Sequence, residues 1–124
     1  MRLLLDTHIL LWWLQEPKKL SAASKRLITA GDCAVSVVSL WELAMKEERG
    51  RVRLPTTLDA EIDKQGFRII PLKAEHIDAY RQTSALIPDP FDRMMVAVAT
   101  VEQLTLATRD GHVLSLGLGN IREL

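Results

Sequence analysis

Apolar residues in this chain fall in short runs separated by longer stretches of mixed polarity. Arg2 to Asp6 is a brief apolar run ending in a carboxylate, the pattern of a buried strand. Thr7 to Gln15 is rich in Leu and Trp and stops before Glu16-Pro17, which predicts a helix. Ser21 caps a second helix that runs through Thr29 and closes at Gly31. Cys33 to Val38 is β-branched and apolar, a second strand. Ser39 opens a third helix that extends to Arg49 and stops at Gly50, with Leu40, Leu43 and Ala44 spaced to share one face. Arg51 to Pro55 is a link, Thr57 to Gln65 a short helix ended by Gly66, and Phe67 to Pro71 a third strand. Ala74 to Leu86 reads as a helix closed by Pro88, and Asp89-Pro90-Phe91-Asp92 as a turn that starts a helix to Gln103. Thr105 to Thr108 is a fourth strand, and Ile121 to Leu124 a candidate fifth.

Strands that alternate with helices imply an α/β fold, with a mostly parallel central sheet of four to five strands flanked by helices. No repeat, low-complexity tract or linker interrupts the order, so residues 1–124 read as one domain. Such sheets bind ligands beyond the carboxyl ends of their strands. That rule selects which polar residues matter.

Composition narrows the chemistry. The 124 residues carry 16 Lys and Arg against 16 Asp and Glu, a formal net charge of zero. This excludes a polycation that holds nucleic acid by bulk electrostatics, but not a local basic patch. The 48% hydrophobic and 26% charged content is that of a globular protein. A single cysteine, Cys33, excludes a disulfide framework and a cysteine-based zinc site, and its apolar surroundings predict a buried small hydrophobe. The longest apolar stretch, Ile9 to Leu14, is far too short to span a bilayer. The first residues lack the pattern of a secretory signal, so the expected location is the cytoplasm.

Four acidic residues fall where the strand-end rule points: Asp6, Glu42, Asp92 and Asp110. Each has a structural explanation on its own. Asp6 can cap the helix after it, Ser39-x-x-Glu42 fits a capping box, Asp92 can cap or complement its helix, and Asp110-Gly111 is a turn pair. Together, at one edge of a parallel sheet, they would repel one another and raise their pKa values unless a cation relieved the charge. Oxygen donors without Cys or paired His suit Mg²⁺ or Mn²⁺ better than zinc. Such an ion supports phosphoryl hydrolysis, though acidic clusters also serve phosphatases and phosphoacceptor domains. His8, His76 and His112 make no ligand pair at helical spacing and read as surface or packing residues. Neither a glycine-rich phosphate cradle nor a Ser or Cys nucleophile motif is present.

Four segments carry a family resemblance that covers essentially the whole chain. They are Leu3-Leu4-Leu5-Asp6-Thr7-His8, Ser36-Val37-Val38-Ser39-Leu40-Trp41-Glu42-Leu43, Asp89-Pro90-Phe91-Asp92-Arg93, and Leu104-Thr105-Leu106-Ala107-Thr108-Arg109-Asp110. In this order and spacing the sequence resembles the PIN-domain ribonucleases, most closely the VapC-type toxins of prokaryotic toxin–antitoxin pairs. The resemblance implies a PIN fold and Mg²⁺- or Mn²⁺-dependent RNA cleavage that inhibits translation or growth. It implies Asp6, Glu42 and Asp92 as metal ligands, with Asp110 as a fourth catalytic acid and Thr7 and Thr108 as supporting hydroxyls. Many relatives have Asn after the Thr-Arg pair and an Asp three residues later, where this chain has Val113. Asp110 is thus expected to act at longer range or through water. Asp89, followed by Pro90, is expected to be a structural turn residue.

The resemblance also implies a VapB-type antitoxin that covers the site, and a homodimer. Trp12, Trp13, Met94 and Met95 are the candidate antitoxin or dimer contacts, because the helix from Arg93 is apolar nearly all round. Lys46, Arg49, Arg51 and Arg53 are candidate RNA contacts beside the acidic edge, against the plainer reading of a solvated helix end. Two other functions stay open. A phosphoacceptor domain is disfavoured, because the second strand ends without an Asp and no Lys follows the fourth. A catalytically silent RNA-binding or interaction module is disfavoured by the intact Asp6, Glu42 and Asp92.

Overall fold

The computed structural model describes residues 1–83 and 85–124. Its order is β1 (Arg2–Leu5), α1 (Thr7–Gln15), a 3-10 turn (Pro17–Lys19), α2 (Ala22–Ala30), β2 (Asp32–Ser36), α3 (Val37–Glu48) and α4 (Leu58–Lys64). There follow β3 (Arg68–Ile70), α5 (Ala74–Gln82), α6 (Pro90–Glu102), β4 (Thr105–Thr108), α7 (Gly111–Leu114) and β5 (Ile121–Glu123). The five strands form one sheet in the order β3-β2-β1-β4-β5, and every pairing is parallel.

β1 lies in the middle, and its leucines explain why. Leu3, Leu4 and Leu5 have no exposed surface. Alternate side chains of a strand point to opposite faces, so Leu3 and Leu5 join one core and Leu4 the other. The first core is closed by α1, α2 and α4 through Ile9, Leu10, Ile28 and Ile62, and also takes Leu43 of α3. The second is closed mainly by α6, through Met95, Val96, Val98 and Ala99. Cys33 is buried as expected, and burial pushes its thiol up to about 11, which leaves it unreactive.

Three local expectations are corrected. The second strand ends at Ser36 rather than Val38, and α3 starts at Val37. Ser36, not Ser39, caps it, its hydroxyl accepting from the Val38 amide at 3.1 Å. The expected capping box therefore does not form, and Glu42 sits in the second turn of α3. The helix expected to reach Leu86 ends at Gln82, and Ser84, within that expected range, lies outside the described residues. The early stop has a tertiary cause. The Arg93 guanidinium donates to the Thr83 hydroxyl at 2.8 Å and to the Tyr80 carbonyl at 3.0 Å, and it stacks 4.2 Å from the Tyr80 ring centre. The last carbonyls of α5 are thus satisfied from α6.

The apolar circumference of α6 is likewise covered from within. The sheet buries one side, and α5 packs along the helix, with His76 of α5 fully buried and 2.8 Å from Glu102 of α6. Two sides of α6 are thus buried inside one chain.

Candidate active site

The strand order reverses direction between β1 and β4: from β1 the chain builds outward to β2 and β3, then returns to β4 on the other side. Crevices form at such switch points beyond the strand carboxyl ends. Asp6 leaves β1 at this point and Thr108 ends β4. Because α6 runs antiparallel to the strands, its first turn, with Asp92, returns to the same edge.

Asp6 is held tightly. It is 5% exposed. Its Oδ1 accepts from the Ile9 amide at 2.8 Å, capping α1, and its Oδ2 accepts from the Thr108 hydroxyl. Burial pushes its carboxyl up, opposed by those two hydrogen bonds and by nearby His8, while Glu42 adds a smaller upward push. The capping reading and the site reading are thus both realised in one residue. Thr108 Oγ1 also accepts from the Asp110 amide at 3.0 Å, so one hydroxyl joins the acids on either side of the switch point.

Asp92 lies in the first turn of α6 and does not cap it. Asp89 does, accepting from the Phe91 amide at 2.7 Å and the Asp92 amide at 3.3 Å, which makes Asp89 the structural turn residue expected. Burial pushes Asp92 up to about 7, and the negative charges of Asp89, Asp110, Asp6 and Glu42 all add to the shift. Asp92 therefore feels all three other predicted acids. Glu42 is 3.8 Å from Lys46 one turn along α3, and Lys46 is also 3.4 Å from His8. Asp110 caps the short helix α7, accepting from the Val113 amide at 3.0 Å. Val113 is buried in the second core.

Among the described residues, no three acidic, histidine or cysteine side chains stand close enough to form a ready-made metal cage. The edge gathers charge without closing into a coordination shell. The donor set still fits a hard divalent cation: it is all oxygen, and burial, with neighbouring carboxylates, raises Asp92.

Two clefts meet at this edge. One, of about 300 Å³, is lined by Asp6, His8, Trp12, Arg109, Asp110 and Gly111. The other, of about 550 Å³, shares His8 and Trp12 and carries Lys19, Lys46, Arg51 and Arg53. Arg49 is exposed but outside this lining. Trp12 is half-buried, with the Arg109 guanidinium 5.4 Å and Lys19 Nζ 5.8 Å from its ring centre. Trp13 turns inward, packing on Phe67 at 5.9 Å and donating to Gln65 at 3.0 Å. Met94 is half-buried against the second core. Met95 corrects the interface expectation: it is 1% exposed, inside the fold, and offers no surface to a partner.

Three contributors were not expected from the sequence. Ser39 accepts from the Thr7 hydroxyl at 2.9 Å, Arg109 lines the acidic cleft, and α7 is built on Asp110. The signal for α7 was the Asp110-Gly111 pair, read as a turn.

The PIN domain pattern matches residues 3–116. The chain belongs to the PIN-domain family. It is 31% identical to Ribonuclease VapC22 of Mycobacterium tuberculosis (strain ATCC 25618 / H37Rv), covering 90% of this chain and 89% of that protein. Its fold is similar to that of VapBC2 from Rickettsia felis, solved bound to a promoter DNA fragment, with TM-score 0.68 and 17% identity over 99% of this chain and 98% of that one. It is also similar to FitAcB from Neisseria gonorrhoeae, with TM-score 0.66 and 23% identity over 96% of this chain and 95% of that one. A toxin–antitoxin complex from Klebsiella pneumoniae matches at TM-score 0.67 and 17% identity, over 96% of this chain and 94% of that one. This PIN-domain chain is thus a homologue of a VapC ribonuclease, and its fold is the one found in toxin–antitoxin complexes. No helix among the described residues is long and apolar enough to cross a membrane.

Proposed function

We propose that this PIN-domain protein is a Mg²⁺- or Mn²⁺-dependent endoribonuclease, acting in the cytoplasm as the toxin of a toxin–antitoxin pair. The observation that carries the reading is the coupling of Asp92 to Asp6, Glu42 and Asp110 at the sheet's switch point. Asp6 and Asp92 would hold the cation, with Glu42 and Asp110 completing its oxygen surroundings. When bound, the ion supplies a more acidic water for in-line attack on a phosphodiester and offsets charge on the transition state.

The chain's own residues prepare that chemistry. The Thr108 hydroxyl and the Ile9 amide each donate one hydrogen bond to a different oxygen of Asp6, which fixes the carboxylate plane where it lines the cleft. Lys46, Arg51 and Arg53 line the adjoining cleft and give RNA phosphates a cationic path to the acids. Trp12 and Leu11 add apolar surface to that same cleft. An antitoxin segment seated there would exclude RNA by occupying its path. In this reading the toxin also pairs with a second copy of itself, as its VapC likeness implies.

The alternative is a catalytically silent RNA-binding or interaction module, favoured by the lack of a ready-made metal cage among the described residues. One assay separates them. The purified chain is incubated with RNA in Mn²⁺, in Mg²⁺ and in chelator, beside Asp6→Asn and Asp92→Asn. Cleavage that needs the metal and both acids supports the nuclease. RNA binding without turnover supports the silent module.

A further inference from the structure

Three helices bring acids to the site, and a buried chain of side chains ties them together beneath it. Thr7 Oγ1 on α1 donates to Ser39 Oγ on α3 at 2.9 Å. Ser39 Oγ donates onward to Met95 Sδ on α6 at 3.7 Å. The three members are 3%, 0% and 1% exposed. Each stands within one helical turn of an acid: Thr7 follows Asp6, Ser39 lies three residues before Glu42, and Met95 lies three residues after Asp92.

The identity of Ser39 needs explaining. Alanine forms helix better than serine, fills nearly the same volume, and brings no polar atom into a core. Serine's ordinary reason to be here, capping α3, belongs to Ser36. Among the described residues every buried side-chain nitrogen and oxygen has a partner, and Ser39 partners Thr7. A hydroxyl is the group that can accept from one helix and donate to another in so little space.

We propose that Ser39 is a positioning residue: its hydroxyl, between Thr7 and Met95, sets the spacing of the helices that carry Asp6, Glu42 and Asp92, and so the cation affinity of the acidic edge. This rests on the metal-site reading above. The spacing of these carboxylates decides whether one ion can be shared, and a side-chain relay fixes it more sharply than apolar packing, which has no preferred direction.

The test is Mn²⁺ titration of the RNA-free chain by calorimetry, with steady-state cleavage measured alongside. Ser39→Ala and Thr7→Val, which keep volume and lose the hydroxyl, should each weaken Mn²⁺ binding about tenfold and lower kcat with little change in KM for RNA. The double variant should be no worse than either single one, because the relay acts as a unit. Val98→Ala, a core truncation elsewhere on α6, should lower the melting temperature and leave Mn²⁺ affinity unchanged. Wild-type Mn²⁺ affinity in Ser39→Ala, or additive losses in the double variant, would overturn the relay. Asp6→Asn separates the two readings. Lost Mn²⁺ binding there with none lost in Ser39→Ala overturns the relay alone, whereas wild-type binding in Asp6→Asn overturns the metal site and the relay with it.

Discussion

Asp92 carries the clearest electrostatic signature of the site. Burial and four surrounding carboxylates push it up to about 7, so between roughly pH 4 and 7 the folded chain holds a proton that the unfolded chain has released. Stability of the metal-free protein therefore falls as pH rises through that window. Thermal unfolding in chelator from pH 4.5 to 8 should show this decline, and Asp92→Asn should flatten it. Saturating Mn²⁺ should raise the melting temperature most at the alkaline end. An unchanged slope in Asp92→Asn would contradict the coupling. At this scale the acids were legible because strand-end position and residue type are written in the sequence. Ser39 was not. Ser-x-x-Glu is the pattern of a capping box, and the sequence holds no sign that Ser36, one turn earlier, takes the cap. Thr108 was legible as a hydroxyl beside the site, but its bond to Asp6 spans 102 positions and belongs to tertiary structure.

The elements were legible where local signals acted alone. α1, the Ser21 cap and Gly31 close of α2, and β4 fall where side-chain pattern and caps put them. They shifted where another element intervened, as where Arg93 of α6 ends α5. One helix end retains a cost that can be removed. Gln103 closes α6 in the left-handed conformation, at φ 57° and ψ 45°, where glycine meets no Cβ penalty. Gln103→Gly should stabilise the fold by about 1 kcal/mol, seen as a melting temperature a few degrees higher. Cleavage should be unaltered, since Gln103 lies at the end of α6 opposite Asp92. A lower melting temperature would show that the Gln103 side chain offsets its backbone strain.

Across the whole molecule the net charge is zero, yet two adjoining local fields of opposite sign stand at one edge. Acids gather at the switch point, and Lys19, Lys46, Arg51 and Arg53 line the adjoining cleft. RNA affinity measured against salt resolves which cations contribute. Arg51→Glu with Arg53→Glu should weaken binding and lower the slope of log K against log salt by about 1 to 2. Arg49→Glu, outside the cleft lining, should change it little. Equal effects at all three would mean that bulk charge, not the cleft, guides RNA. Asp6, Glu42 and Asp92 should converge on one divalent cation. Anomalous diffraction from crystals of the chain grown with Mn²⁺ would locate it. A peak is expected within bonding distance of both Asp6 and Asp92, absent in Asp6→Asn. A peak elsewhere, or one that survives in Asp6→Asn, would contradict this convergence.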